Sequence, residues 1–144
     1  MPSSRVPVFL DTSYVYALVN RNDDWHRPAL AWQEWAVTLD HPMVTTEYIL
    51  TEIGDGLASI RFRREAVRLI ELFRESEVVE TISASRLFED ALALYRTRPD
   101  KAWGMTDCAS FVAMGLRGLS SALTADTHFR QAGFRPLLLE HPPA

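Results

Sequence analysis

Apolar positions along the chain fall into two alternating kinds of run. Short apolar blocks at residues 6–13 (VPVFLDTS), 43–46 (MVTT), 78–82 (VVETI), 121–125 (SALTA) and 135–139 (RPLLL) have the length and β-branched content of strands. Between them lie stretches with helical spacing, at residues 14–19, 28–39, 47–57, 61–76, 86–95, 107–116 and 127–132. In the second of these Ala29, Trp32, Trp35, Ala36 and Leu39 recur on one face, and in the fourth Phe62, Ala66, Leu69, Ile70 and Phe73 do the same. Helix signals support the divisions: Pro28 in a first turn, Thr46 as an N-cap, Ser83 or Ser85 as another, and Gly133 as a C-terminal stop. The segment from Asp107 is apolar nearly all round, which predicts a buried helix. Strands alternating with helices predict an α/β domain with a doubly wound, mostly parallel sheet.

That architecture gives meaning to four acids. Asp11 and Asp126 stand at strand ends, Asp107 opens a helix, and Glu52 lies about one turn inside another. In open α/β sheets the ligand crevice lies outside the carboxyl ends of the strands, so all four can reach one place. At about 100° per residue, Ile49, Leu50, Ile53 and Leu57 share a face; Glu52 borders it and Glu47 points away. Three of the acids also have a plain structural reading. Asp11 is a helix N-cap, Glu52 a surface residue at a boundary, and Asp107 a partner of the helix dipole. Two carboxylates about 4 Å apart repel by roughly 4 kcal/mol at an effective dielectric of about 20. Four together therefore call for a cation or for protonation. An oxygen-only donor set without cysteine favours a hard ion, Mg²⁺ or Mn²⁺, over zinc.

Composition narrows the field further. The chain has 144 residues, enough for one domain with a sizeable core, and its apolar runs are too short to span a membrane. No leader is predicted, because MPSSR runs straight into the first strand-like block. Cys108 is the only cysteine, which excludes an internal disulfide and a cysteine-based zinc site and suits a reducing cytoplasm; it reads as a small core residue. A net charge of −4 argues against a broadly basic coat but leaves room for a local basic groove. Lys101 is the single lysine, which disfavours Schiff-base chemistry. Arg61, Arg63, Arg64 and Arg68 form the densest basic cluster. They read either as a solvated face, with Arg64 near Glu65 and Arg68 facing Glu71, or as phosphate contacts. His128 reads as a base or, in preference, as packing beside Phe129, and Asp23 or Asp24 with His26 as a metal pair or, in preference, as a turn that caps the next helix. There is no Walker loop and no dinucleotide glycine fingerprint.

The succession VFLDTS, TTEYILTE, MTDCASF and LTADTHFRQAGF resembles the PIN domain, a metal-dependent ribonuclease fold, and within it the VapC-type toxin branch. The resemblance extends from about residue 6 to residue 139. It implies a three-layer α/β/α sandwich around a five-stranded parallel sheet, with residues 1–139 as one nuclease domain and 140–144 as a tail. It implies Mg²⁺ or Mn²⁺ held by Asp11, Glu52, Asp107 and Asp126, with Thr124, Thr12 and Asp100 as supporting groups. It further implies endonucleolytic hydrolysis of RNA, arginines on the rim for flanking phosphates, a small antitoxin partner, and a homodimer. Glu47 is not carried over, because the family often has Asn at that place. Competing readings are a housekeeping PIN nuclease without an antitoxin, a silent RNA-binding module, and a Mg²⁺-dependent phosphatase of the haloacid-dehalogenase type. The last requires a second Asp two residues after the first, where this chain has Ser13.

Overall fold

The computed structural model describes residues 5–144; the expectation about a leader rests partly on residues 1–4, which lie outside the described residues. The order is β1 (Val8–Leu10), α1 (Thr12–Val19), α2 (His26–Thr38), β2 (Met43–Thr46), α3 (Glu47–Gly56), α4 (Ile60–Glu75), β3 (Val79–Ile82), α5 (Ala84–Thr97), α6 (Met105–Arg117), β4 (Ser121–Leu123), α7 (Thr127–Gln131), β5 (Arg135–Pro136) and a 3-10 turn at Leu137–Leu139. The strands form one parallel sheet in the order β3-β2-β1-β4-β5. β1 is central, and its three residues Val8, Phe9 and Leu10 are all buried, as expected where helices cover both faces.

From β1 the chain steps outward to β2 and β3, then returns to the other side of β1 for β4 and β5. Right-handed crossovers therefore place α1–α4 on one face and α5–α7 on the other. The observed helix pairs agree: α1 packs on α2 and α3, and α3 on α4, while α6 packs on α5 and α7. The reversal puts the topological switch point between β1 and β4, and this is where Asp11 and Asp126 emerge.

Individual boundaries follow from local chemistry. Thr46 caps α3 as its sequence suggests, its hydroxyl accepting from Ile49 N at 3.1 Å. Ser83 occupies the N-cap position of α5, but the side chain that accepts a bond there is Glu47, which takes Ala84 N at 2.7 Å. Glu47 thus points away from the switch point, onto the start of another helix. The last strand is shorter than the 135–139 run suggests. Pro136 has no N–H to extend a ladder, and the chain tightens into the 3-10 turn that buries Leu137 and Leu138. Similarly, α6 is not buried all round: Cys108 to Met114 supply the buried face, while Leu116 near its end is exposed. Among the described residues no helix is long and apolar enough to cross a membrane.

Aromatic packing anchors the helices that carry the later acids. Phe129 of α7 lies 6.0 Å from Phe9 of β1 and edge-on to Phe111 of α6 at 5.1 Å, and Phe111 meets Trp103 at 5.0 Å. Phe9 and Phe129 are fully buried. Pairs of this geometry add roughly 0.5–1.5 kcal/mol beyond the area they bury.

Candidate active site

At the carboxyl ends of β1 and β4 a cavity of about 600 Å³ opens, lined among others by Asp11, Thr12, Glu52, Asp107, Asp126 and His128. All four acids singled out in the sequence lie there, contributed by four separate parts of the chain. Asp11 follows β1 in extended backbone and caps α1, the plain reading of this residue, yet it also lines the cavity. Its Oδ2 accepts from the Thr124 hydroxyl at 2.7 Å and the Ser13 hydroxyl at 2.9 Å. Those hydroxyls in turn accept backbone N–H groups, Thr124 from Asp126 and Ser13 from Ala125. Every proton in this small network has a destination. Asp11 is almost completely buried, and burial pushes its carboxyl up to about 6 against the opposing pull of the Thr124 and Ser13 hydrogen bonds.

Glu52 is held by the Thr12 hydroxyl, which donates to its Oε1 at 2.6 Å. Burial pushes the Glu52 carboxyl up; the Thr12 bond pulls it down, and the charges of Asp107, Asp126 and Asp55 push it further up. Tyr16 donates to the Glu52 main-chain carbonyl and so fixes the helical turn on which Glu52 stands. Asp107, at the third position of α6, accepts from Gly104 N at 3.0 Å, while Asp126 caps α7 by accepting from His128 N at 2.8 Å.

His128 reads from sequence as a base or as packing; its place between Asp107 and Asp126 is what the sequence does not reveal. Its Nδ1 lies within hydrogen-bond distance of Asp107 Oδ2, at 3.1 Å, and 3.6 Å from Asp126 Oδ1, so it faces two acids instead of merely packing beside Phe129. The available signal was its spacing: two residues after an acid that caps a helix, on a turn whose next residue is the buried Phe129. In the sequence Ser13 only disfavours a phosphatase; in the structure its hydroxyl supports Asp11.

Other expected residues lie elsewhere. Asp100 is exposed and grips the Arg98 guanidinium through two bonds of 3.0 Å, outside the residues that line the acidic cavity. None of Arg61, Arg63, Arg64 and Arg68 lines that cavity. Arg61 lies over the ring of Phe62, Arg63 donates to the Ala58 carbonyl, and Arg68 pairs with Glu65 rather than Glu71. Cys108 is fully buried, and burial with the adjacent Asp107 charge raises its thiol, consistent with a core residue.

The donor set suits a hard divalent cation. Asp107, Asp126 and His128 each offer a ligand atom, and these lie within 4.8 Å of one another. Glu52 is close enough to feel the charges of Asp107 and Asp126. Carboxylate oxygens dominate, with one imidazole nitrogen, and a cation would relieve the repulsion that their convergence creates.

No curated protein sequence matches the chain. The VapC20 toxin of Mycobacterium tuberculosis, whose crystal structure describes it as cleaving the sarcin-ricin loop, is 28% identical with a TM-score of 0.77; the match covers 94% of this chain and 99% of VapC20. FitAcB from Neisseria gonorrhoeae shares the fold at 16% identity and a TM-score of 0.59, over 90% of this chain and 97% of its own. The PIN domain model matches residues 8–135, a span from the first residue of β1 into β5 that contains all four acids, and the chain therefore belongs to the PIN-domain family.

Proposed function

We propose that the protein is a divalent-metal-dependent endoribonuclease, the toxin of a toxin–antitoxin pair, with Asp11, Glu52, Asp107 and Asp126 as its metal-binding and catalytic acids. One observation carries this reading: four carboxylates from different parts of the chain meet in one cavity at the switch point, one of them buried and supplied with hydroxyl donors. Repulsion of that size is an improbable relic in a fold with no use for it. Similarity to VapC20 over nearly the whole of both chains supports the toxin role and RNA as substrate. Mg²⁺ or Mn²⁺ is the ion that the oxygen-rich set suits best.

When bound, the ion would neutralise developing charge on the phosphate and make a water nucleophilic near neutral pH. The chain's own groups do the positioning. Thr124 and Ser13 hold Asp11 in one orientation, and Thr12 holds Glu52, so neither carboxylate must reorganise when substrate arrives. Glu52, on the α3 side of the cavity, would be a ligand or the group that orients the attacking water. His128 is bonded to both acids of the other side, its ring Nδ1 to Asp107 and its backbone N–H to Asp126.

The test is cleavage of single-stranded RNA by purified protein with Mg²⁺ or Mn²⁺. EDTA should abolish it, and Asp11→Asn should reduce it by more than the roughly 10–100-fold that loss of a supporting group costs. Undiminished cleavage by Asp11→Asn protein, in a preparation free of contaminating nuclease, would falsify the site. Growth inhibition by the wild-type chain that a small neighbouring gene relieves would establish the toxin role.

A further inference from the structure

An acidic cavity cannot hold RNA by itself. Its lining contains no arginine or lysine, and the arginines of α4 do not reach it. A second recess of about 470 Å³ adjoins it, lined by Tyr95, Arg98, Lys101, Trp103, Gly104 and Cys108. The two share a thin wall at the start of α6: Gly104, which lines the second recess, donates its N–H to Asp107, which lines the first.

This recess combines two cationic side chains with aromatic rings. Arg98 lies 5.1 Å over the Trp103 ring, and Asp100 fixes its guanidinium plane by accepting from Nε and Nη2. Trp103 is buried and anchored by its Nε1 bond to Gln131, so the stack has a rigid base. Lys101 lies 4.0 Å from the same Asp100, a loose pair beside two tight bonds. Two cations against one carboxylate leave a net positive charge. Tyr95 completes the wall with a ring that is half exposed, although large aromatics ordinarily bury more. Cations beside an exposed ring and a clamped guanidinium plane are the elements that single-stranded nucleic acid uses, phosphate on charge and base on a flat face.

Resting on the nuclease reading above, we propose that this recess seats a nucleotide flanking the scissile phosphate, with Lys101 and Arg98 holding its phosphate and Tyr95 stacking on its base. The RNA then passes over the start of α6, from a positive, aromatic seat to the acids. Affinity comes from the seat and chemistry from the acidic cavity.

The experiment measures binding of a fluorescein-labelled single-stranded RNA oligonucleotide by anisotropy in EDTA, and cleavage kinetics with Mg²⁺ or Mn²⁺. The proteins are the wild type, Tyr95→Ala, Tyr95→Phe, Lys101→Gln and, as a control on α4, Arg64→Gln, each checked for an unchanged melting temperature. Tyr95→Ala should raise Kd and KM by about tenfold, within the range that loss of a stacking contact produces, with kcat within about twofold, while Tyr95→Phe keeps wild-type values. Lys101→Gln should reduce the slope of log Kd against log salt by about 0.7, the share of one phosphate contact on a single strand. Wild-type protein that binds and cuts RNA, with Tyr95→Ala and Lys101→Gln variants that match it in Kd, KM and salt slope, overturns the seat alone. RNA bound through Tyr95 but never cut overturns the nuclease reading and leaves the seat standing. A wild-type chain that binds no RNA overturns both.

Discussion

The two sides of the acidic cavity are built by different physics. Its floor, Asp11 with Thr124 and Ser13, sits at strand ends and is almost closed to solvent, and short hydroxyl bonds fix every group. Its rim, Asp107, Asp126 and His128, is partly open, with side chains 22%, 36% and 29% exposed, and takes its geometry from how α6 and α7 pack. Position on the floor follows from sheet register, since Phe9 pairs with Ala122 and Leu10 with Leu123. Position on the rim follows from an aromatic wedge, Phe111 against Phe129. One half is preorganised by hydrogen bonds and the other by core packing, so different substitutions should break them.

The largest effect is expected from the wedge. Phe129→Ala removes a fully buried ring in contact with Phe9 and Phe111, and should cost about 3–5 kcal/mol of folding stability in urea titration. Whatever protein remains folded should bind Mn²⁺ more weakly, because Asp126 and His128 immediately precede the lost anchor. A cost under about 1 kcal/mol would mean that the rim does not depend on this packing.

Next comes Thr124→Val, a change of nearly constant volume on the floor. It deletes the donor to Asp11 and the acceptor of Asp126 N–H, so it loosens both halves through one atom. Metal affinity by calorimetry should fall about 10–100-fold, and Thr124→Ser should restore most of it. Equal affinity in the Val variant would show that the hydroxyl does not orient the acids.

This division also explains what was legible in the sequence. β2 ends where the capping chemistry of Thr46 predicts, because a strand end and an N-cap are written in adjacent residues. Asp11 and Asp126 were legible for the same reason, each following a short apolar block. The exclusion of Glu47 needed only a helical angle, and its bond to Ala84 lies on the far side as that angle requires. His128 was hidden because its role depends on two helices separated in sequence and joined through the Phe111–Phe129 contact. Asp100 went astray for the opposite reason: a local partner two residues away, Arg98, captured it. Arg68 had acids at equal spacing on either side, Glu65 and Glu71, and only side-chain conformation decides between them.

The smallest predicted effect on metal affinity separates floor from rim through pH. Burial raises Asp11 from 3.8 to about 6, so between these values the folded chain holds a proton that the unfolded chain has lost. The sign follows: stability from this group is present at low pH and is lost as pH rises through about 6, a cost of roughly 3 kcal/mol above that point at about 1.4 kcal/mol per pKa unit. Asp11→Asn carries no such charge, and the Thr124 and Ser13 hydroxyls can turn to accept from its amide. In EDTA its stability advantage over the wild type should therefore be largest near pH 7 and vanish toward pH 4. Metal binding has the opposite slope, because a cation takes only the carboxylate. From pH 7 to pH 5, Mn²⁺ affinity of the wild type should fall by about tenfold through Asp11 alone. Thr124→Val removes a bond that favours the charged form and should move that fall to higher pH, whereas a rim change such as His128→Asn should leave its midpoint in place. A midpoint that follows His128 and ignores Thr124 would transfer control of the site from the floor to the rim.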